Sequence, residues 1–343
     1  MSTPEKRPLN IAVVYNRFEL LPGRSNESVS ESSVALEAAD VIDALSATEH
    51  RVFPLVLGRS LTGFHSRLRR HQADVVINLC EGFQGRARWE AGLAAFLEMS
   101  SIPFTGNTEP AMMLCLDKFN CKAVLTASGL PVPAGWLARS PEAEIPDCIQ
   151  YPVIVKPNRE DASLGINAGS VIGDRNSLKK QIQSVIRRYD QPALVEAFIP
   201  HREFNAAVWE NGRGPEVLAV QEIDFSSMPS GEPRICGYEA KWFEDHPLYR
   251  STVPVCPAPL EPAVQRKIES ISLEAFQALG CRDYARVDFR MDAEGKLYIL
   301  EVNPNPDVSR NAGFARALGV AGIDYTDFWL ALIRRALTRK ETE

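Results

Sequence analysis

Asp283-Tyr-Ala-Arg-Val-Asp-Phe-Arg-Met291 and Lys296-Leu-Tyr-Ile-Leu-Glu-Val-Asn303 flank the turn Asp292-Ala-Glu-Gly295 and read as a β-hairpin. Pairing Met291 with Lys296 sets Arg286 opposite Glu301 and Asp288 opposite Ile299. Alternation then gathers Arg286, Asp288, Glu301 and Asn303 on one face, with Val287, Phe289, Tyr298, Leu300 and Val302 on the other. The apolar face can pack on a core. The polar face collects two carboxylates, a carboxamide and a guanidinium, an oxygen set suited to hard Mg²⁺ ions that keep some water and share substrate phosphates. The plainer alternative is a solvated strand pair with an Arg–Glu cross-strand contact.

Outward from the hairpin, the first hundred residues alternate apolar runs with helical patterns. Strands are expected at 10–15, 51–57 and 73–79, and helices at 31–47 and 89–99. Such alternation predicts a parallel sheet with helices on both faces. Ligands then sit beyond the carboxyl ends of the strands, at the loop after Tyr15 and at Cys80-Glu81-Gly82-Phe83-Gln84-Gly85. From Asp117 the rhythm changes. Helices at 118–127, 177–189, 262–279 and 325–338 separate strands at 151–156, 168–172, 193–197, 204–209 and 216–224. The expected class is therefore α/β joined to α+β. Its units are a doubly wound N-terminal domain over 1–116, a central unit over 117–208 and a C-terminal unit over 209–343 carrying the hairpin.

Composition excludes several classes. In 343 residues, apolar types make up 45% and charged types 24%, ordinary for a folded globular chain. The net charge of −6 gives no basic field for nucleic acid, and the short run Arg67-Leu-Arg-Arg-His71 reads as a solvated helix face. The uncharged stretch 123–138 is broken by Gly129, Pro131, Pro133 and Gly135 and cannot span a membrane. No signal-peptide core opens the chain. Seven cysteines with no CxxC pair fit reduced thiols in a cytoplasmic protein. Neither GxxxxGK[ST] nor GxGxxG occurs, which removes a P-loop and a dinucleotide fingerprint.

Other segments add chemistry. Lys156 ends the apolar run Val153-Ile-Val155, where its ammonium can reach a phosphate, and the loop 158–165 closed by Gly165 can add backbone N–H groups. Leu194-Val-Glu196-Ala-Phe198-Ile199, followed by Arg202-Glu203, could read an adenine edge and a ribose; the plain alternative is a strand and a surface turn.

Taken in order, Asp117-Lys118…Lys122, Val-Lys156-Pro, Val-Glu196…Arg202-Glu203, Ala-Lys241-Trp, Ala-Arg286-Val-Asp288 and Leu-Glu301-Val-Asn303-Pro resemble an ATP-grasp enzyme. More narrowly, the chain resembles the D-alanine–D-alanine ligase family of carboxylate–amine ligases over residues 9–338. The resemblance implies that Lys118 and Lys156 bind ATP phosphates. Glu196 and the Phe198–Ile199 backbone would hold adenine, Glu203 the ribose, and Ser163 would belong to the phosphate loop. Lys241, at the end of a closing loop, would cover the triphosphate. Asp288, Glu301 and Asn303 would ligate two Mg²⁺, with Mn²⁺ the alternative, and Arg286 would stabilise a tetrahedral intermediate. It further implies small-molecule carboxylate and amine partners, and homodimers are frequent in the family.

The departures fall on the substrate side. Gly23-Arg-Ser25-Asn-Glu27 resembles the family's Gly-Gly-x-Ser-x-Glu loop, but follows an extra stretch, Asn16–Pro22. Glu27 is thus a candidate amine contact, with Glu31 competing and an exposed helix cap the plain alternative. Ala162-Ser163 stands where the family carries two serines, and Trp242 where it carries tyrosine. Pro304-Asn-Pro-Asp-Val-Ser309-Arg310 replaces a Ser-Pro-Gly-Met run, and Arg86-Ala-Arg88-Trp89-Glu90 an acidic-glycine run after Glu81-Gly82. Glu81, Trp242, Ser309 and Arg310 are therefore candidate substrate contacts. Arg310, Arg86 and Arg88 could each hold a carboxylate bidentately or form a surface ion pair. The expectation is an active ligase with an altered substrate. A true D-alanine–D-alanine ligase and an inert ATP-binding module are its rivals.

Overall fold

A computed structural model describes residues 7–17 and 28–342, the side chains of 28–32 and 340–342 excepted. Glu27 and the glycine loop before it lie outside the described residues, as does the side chain of Glu31. β1 (Asn10–Asn16), α1 (Ser28–Ser46), β2 (Arg51–Leu57), α2 (Leu61–Arg70), β3 (Val75–Asn78), α3 (Glu90–Met99) and β4 (Phe104–Thr105) build the first layer. The strands pair in parallel in the order β2-β1-β3-β4. Ile11–Val14 and Val75–Ile77 are wholly buried, as continuous apolar runs in a covered parallel sheet must be. α2 buries only Phe64 and Leu68, too thin an apolar stripe to stand out in the sequence. Its last turn holds Arg67, Arg69 and Arg70, which complement the negative end of the helix dipole.

α4 (Glu109–Leu116) and α5 (Lys118–Ala127) lead to β5 (Gly135–Ala138), β6 (Val153–Pro157), β7 (Val171–Ile172), α6 (Arg175–Tyr189) and β8 (Ala193–Ala197). These strands form an antiparallel sheet, β5-β8-β6-β7. The strand expected from Ala168 begins only at Val171. Asn167 caps a 3₁₀ turn over Ala168–Ser170 with its side chain, a local bond that competes with strand pairing.

The last layer comprises β9 (Arg202–Glu210), β10 (Pro215–Asp224), α7 (Tyr238–Trp242), α8 (Pro247–Arg250), β11 (Val253–Val255), α9 (Pro262–Ala278), β12 (Tyr284–Met291), β13 (Leu297–Asn303), α10 (Gly313–Val320) and α11 (Tyr325–Thr342). Its sheet order is β11-β10-β9-β12-β13. Phe204, Val287 and Phe289 pack beneath it against Ile271 and Phe276 of α9 and Leu125 of α5. α10 and α11 return to the first sheet, where Phe314, Phe328, Trp329 and Leu332 share a core with Ile11, Val13, Val75 and Ile77. Fully burying each such side chain contributes about 1.5–3 kcal/mol.

The hairpin forms, but in a different register. Met291 pairs with Leu297, not Lys296, and the pairing slips by one residue between Phe289↔Ile299 and Asp288↔Glu301. Leu300 is the extra residue of a β-bulge, which re-aims a strand. Arg286 therefore lies opposite Asn303, and Asp288 opposite Glu301. Leu297, Ile299 and Val302 are the β13 residues buried in the core, whereas Leu300 and Glu301 both line a cavity. Strict alternation, which put Tyr298 and Leu300 on the core face, could not foresee the bulge.

Candidate active site

A cavity of about 530 Å³ opens between the last sheet and the β5-β8-β6-β7 sheet, within the range of small-molecule sites. Lys156 and Glu196 enter it from β6 and β8, and Glu203, Arg286, Asp288 and Glu301 from the polar face of the last sheet. Ser163, Phe198, Ile199, Lys241 and Trp242 complete the predicted residues on its wall. A smaller chamber of about 100 Å³ adjoins it, with Glu81, Arg86, Glu90, Asn303 and Asn305 on its wall. Lys241, Trp242, Arg286 and Asp307 line both spaces.

Glu196 is 1% exposed and is flanked by two ammonium groups. Lys122 of α5 donates to one carboxylate oxygen, and Lys156 Nζ lies 2.7 Å from the other. Burial alone would push the Glu196 carboxyl up, but Lys122 and Lys156 outweigh it and hold it below the usual carboxylate range. Sequence reading named Lys122 without a role; its spacing of four from Lys118, one helical turn, was the available signal.

Lys118 lies under the cavity wall. Its Nζ donates to the Glu160 carbonyl at 2.7 Å and to Asp161 at 2.8 Å, with Glu301 at 3.4 Å. Burial opposes its charge, but Asp161 and Glu301 more than compensate and keep it protonated. Burial likewise works against the Glu301 charge, and Lys118, Lys156, Arg286 and Lys241 together pull its carboxyl well below the usual range.

Arg286 reaches along its own strand and grips Asp288 bidentately at 2.7 and 2.8 Å. On the neighbouring strand Asn205 donates to the same carboxylate at 2.8 Å, and Gln221 of β10 lies behind Asn205 at 3.4 Å. Sequence reading missed both amides. Asn205 stands two residues from Glu203, so strand alternation already set the two on one face. Glu203 meets Arg290 at 2.7 Å, and burial nonetheless raises its pKa. The Phe198 N–H donates to the Pro152 carbonyl, and the Ile199 carbonyl accepts from Arg290.

Asp288, Glu301 and Asn303 offer only oxygen donors beside several cationic side chains. Two carboxylates in register with an amide one step along suit a hard divalent cation. Among the described residues no group of three His, Cys, Asp or Glu is arranged to hold a metal alone, so phosphate and water would complete the shell of an ion held here. The donor set fits Mg²⁺ on those terms.

The other predicted contacts divide. Glu81 and Trp242 face the small chamber. Ser309 and Arg310 line neither space. The Ser309 N–H caps Asp307, and Arg310 binds Asp43 at 3.1 Å and sits over the Tyr325 ring at 5.1 Å. Arg88 covers the exposed Trp89 ring, while Arg86 lines the small chamber.

A family model described as the D-ala D-ala ligase C-terminus matches residues 134–334. The chain belongs to this family. D-alanine–D-alanine ligase B of Chromobacterium violaceum is 30% identical over 93% of this chain and 97% of its own length. A Sinorhizobium fredii protein described as uncharacterised is 33% identical over 74% of this chain and 72% of its own. The fold matches the Bacillus anthracis D-alanine–D-alanine ligase structure complexed with ATP with a TM-score of 0.75, at 18% identity, over 97% of this chain and 99% of that one. The fold is ATP-grasp, and this member of the D-alanine–D-alanine ligase family is an ATP-dependent carboxylate–amine ligase. No described helix is long and apolar enough to cross a membrane.

Proposed function

We propose that this ligase activates a small amino-acid carboxylate with ATP and joins it to an amine, using a pair other than two D-alanines. The carboxylate attacks the γ-phosphoryl group, giving an acylphosphate and ADP; the amine then displaces phosphate and forms an amide. Phosphoryl transfer needs placement and charge neutralisation more than covalent help. Lys118, Lys156 and Lys241 supply positive charge for the phosphates, with Ser163 in the phosphate loop. Glu196, Phe198 and Ile199 border the adenine, and Glu203 the ribose. Arg286 stabilises the oxyanion of the tetrahedral intermediate. Asp288, Glu301 and Asn303 would hold two Mg²⁺, or Mn²⁺, whose chemistry when bound is to neutralise and orient the phosphate oxygens. The division at 116 and 208, read from the change of rhythm after residue 116, a cytoplasmic setting, read from the unpaired cysteines, and a homodimer, frequent in the family, belong to the same proposal.

One observation carries this reading: the large and small chambers share Lys241, Trp242, Arg286 and Asp307, so a nucleotide in one and an amino acid in the other would meet at those side chains. The altered pair is supported by Trp242, whose indole N–H takes the Ala162 carbonyl at 2.9 Å where the family carries hydroxyls. The Chromobacterium relative's name favours the rival reading of a D-alanine–D-alanine ligase.

The experiment is ADP release from ATP and Mg²⁺ across pairs of D- and L-amino acids and small carboxylates, with products weighed by mass spectrometry. A product lighter by one water than its two substrates identifies the pair. D-alanyl-D-alanine as sole product would replace this proposal with its rival. With a silent panel, ATP binding that strengthens with Mg²⁺ would keep the enzyme reading and point to another substrate, and no binding would favour an inert module.

A further inference from the structure

The incoming amine needs a seat beside the activated carboxyl, and an ammonium group must shed protons to attack. We infer that Asp307 is that seat: its carboxylate binds the acceptor's ammonium where the two chambers meet and takes its first proton. The inference rests on the ligase reading above.

Three observations support it. First, position. Of the four described residues lining both chambers, Lys241 and Arg286 are cationic, Trp242 is aromatic and Asp307 is the carboxylate. It lies near enough to Arg286 for its charge to act on that guanidinium. Second, availability. Asp307 accepts the Ser309 N–H at 2.9 Å and makes no ion pair among the described residues. Arg286 is occupied with Asp288, and Asp161 is occupied by Lys118. Third, rigidity. The segment is pinned on both sides of Asp307: Asn305 donates to the Cys80 carbonyl at 3.1 Å, Val308 N–H to Glu37 at 3.1 Å and Arg310 N–H to Asp40 at 2.9 Å. A carboxylate held this way is preorganised for a charged partner.

Among the described residues, the competing carboxylates of the small chamber are less suited. Glu81 and Glu90 line the small chamber only. Burial, then the charges of Asp161 and Glu81, push Glu90 well up, toward a neutral form that attracts an ammonium weakly. In the step itself, one ammonium proton passes to Asp307 and the freed lone pair forms the C–N bond. The C–O bond to the phosphoryl group then breaks, and the second proton leaves with phosphate.

The test uses the full chain with ATP and Mg²⁺, comparing two nucleophiles. D-alanine, L-alanine, glycine and β-alanine serve as carboxylates, first with hydroxylamine, an uncharged nucleophile, and then with the same amino acids as amines. Asp307→Asn is expected to lower the ratio of amide to hydroxamate at least about 100-fold, the scale of general-base catalysis, and Asp307→Glu to restore part of it. ADP-induced thermal stabilisation checks that each variant folds. An unchanged ratio, or equal loss of both products, overturns the assignment. No hydroxamate from the unaltered chain overturns the ligase reading for amino-acid carboxylates, and this inference with it.

Discussion

Trp242 donates its indole N–H to the carbonyl of Ala162 at 2.9 Å, tying α7 to the loop after β6. Two more bonds dock the same parts: Tyr238 N–H to the Ile166 carbonyl at 2.8 Å and Ser163 Oγ to the Cys236 carbonyl at 2.9 Å. Gly237 permits the approach, because a Cβ there would sit 2.9 Å from the Ile166 carbonyl oxygen. Lys241 is carried on this docked segment, beside the chamber where an acylphosphate would need shielding from water.

Trp242→Phe keeps an aromatic wall and deletes the donor. A hydrogen bond of this kind contributes about 1 kcal/mol net, about a fivefold change in docking. Phosphate released per amide formed should rise by about that factor, with little change in ADP affinity. Measuring phosphate and amide in the same reaction decides it, since an unchanged ratio would leave the indole N–H no part in closure.

Lys122 and Lys156 flank a carboxylate that sees almost no solvent. Burial pulls the Lys122 ammonium down to about 8, with Glu196 opposing and Lys156 adding to the shift. The unfolded chain keeps that proton up to the ordinary lysine value of about 10.4. Between about pH 8 and pH 10 the unfolded state therefore binds more protons, and this group's contribution to stability rises with pH. Lys122→Met should climb less over that window in urea unfolding than the unaltered chain. Glu196→Gln, which removes the buried carboxylate that both ammonium groups contact, should cost about 3–5 kcal/mol. Parallel pH slopes for the Lys122 variant would mean its proton is not shed on folding.

Much of this site was legible because its chemistry sits on strands with a period of two. Arg286 and Asp288, two apart, had to share a face, as did Glu203 and Asn205. The slip at Leu300 was not legible, since no local residue type marks a bulge there, and it changes which pairs face each other. Ser309 and Arg310 illustrate a second limit. The run that holds them departs from the family pattern, yet α1 captures it through Glu37, Asp40 and Asp43, contacts far away in sequence. The chain's return to the first sheet through α10 and α11 was hidden in the same way, because an apolar helical face does not state its partner.

Asn205 is expected to act on the metal through Asp288. Asn205→Ala removes the amide that fixes one carboxylate oxygen, and outer-shell partners of this kind typically cost about 10–100-fold in metal affinity. The Mg²⁺ concentration for half-maximal ADP release should rise by that factor while the pattern of accepted amino acids stays the same. Asp288→Asn or Glu301→Gln, by contrast, should abolish ADP release and leave the fold intact. Mg²⁺ dependence unchanged in Asn205→Ala would show that Arg286 alone suffices to orient Asp288.

Asp283 ties the C-terminal helix to the first sheet, and its loss should unfold more than its own turn. The carboxylate is wholly buried. It accepts the Gly106 N–H at 2.8 Å and two bonds from Arg339 at 2.6 and 3.0 Å, with Arg335 at 3.4 Å. Replacing it leaves the buried Gly106 N–H without its acceptor and removes the charge that the partly exposed Arg335 and Arg339 share, which costs about 1–3 kcal/mol. Asp283→Ala should lower the unfolding free energy by that amount. Arg339→Met should cost less, because the Gly106 N–H and Arg335 still satisfy the carboxylate. The double variant should be no less stable than Asp283→Ala alone, since one partner is already gone. Additive losses in urea unfolding would show that the two residues stabilise the chain independently, and that the buried pair is not the contact joining α11 to the first sheet.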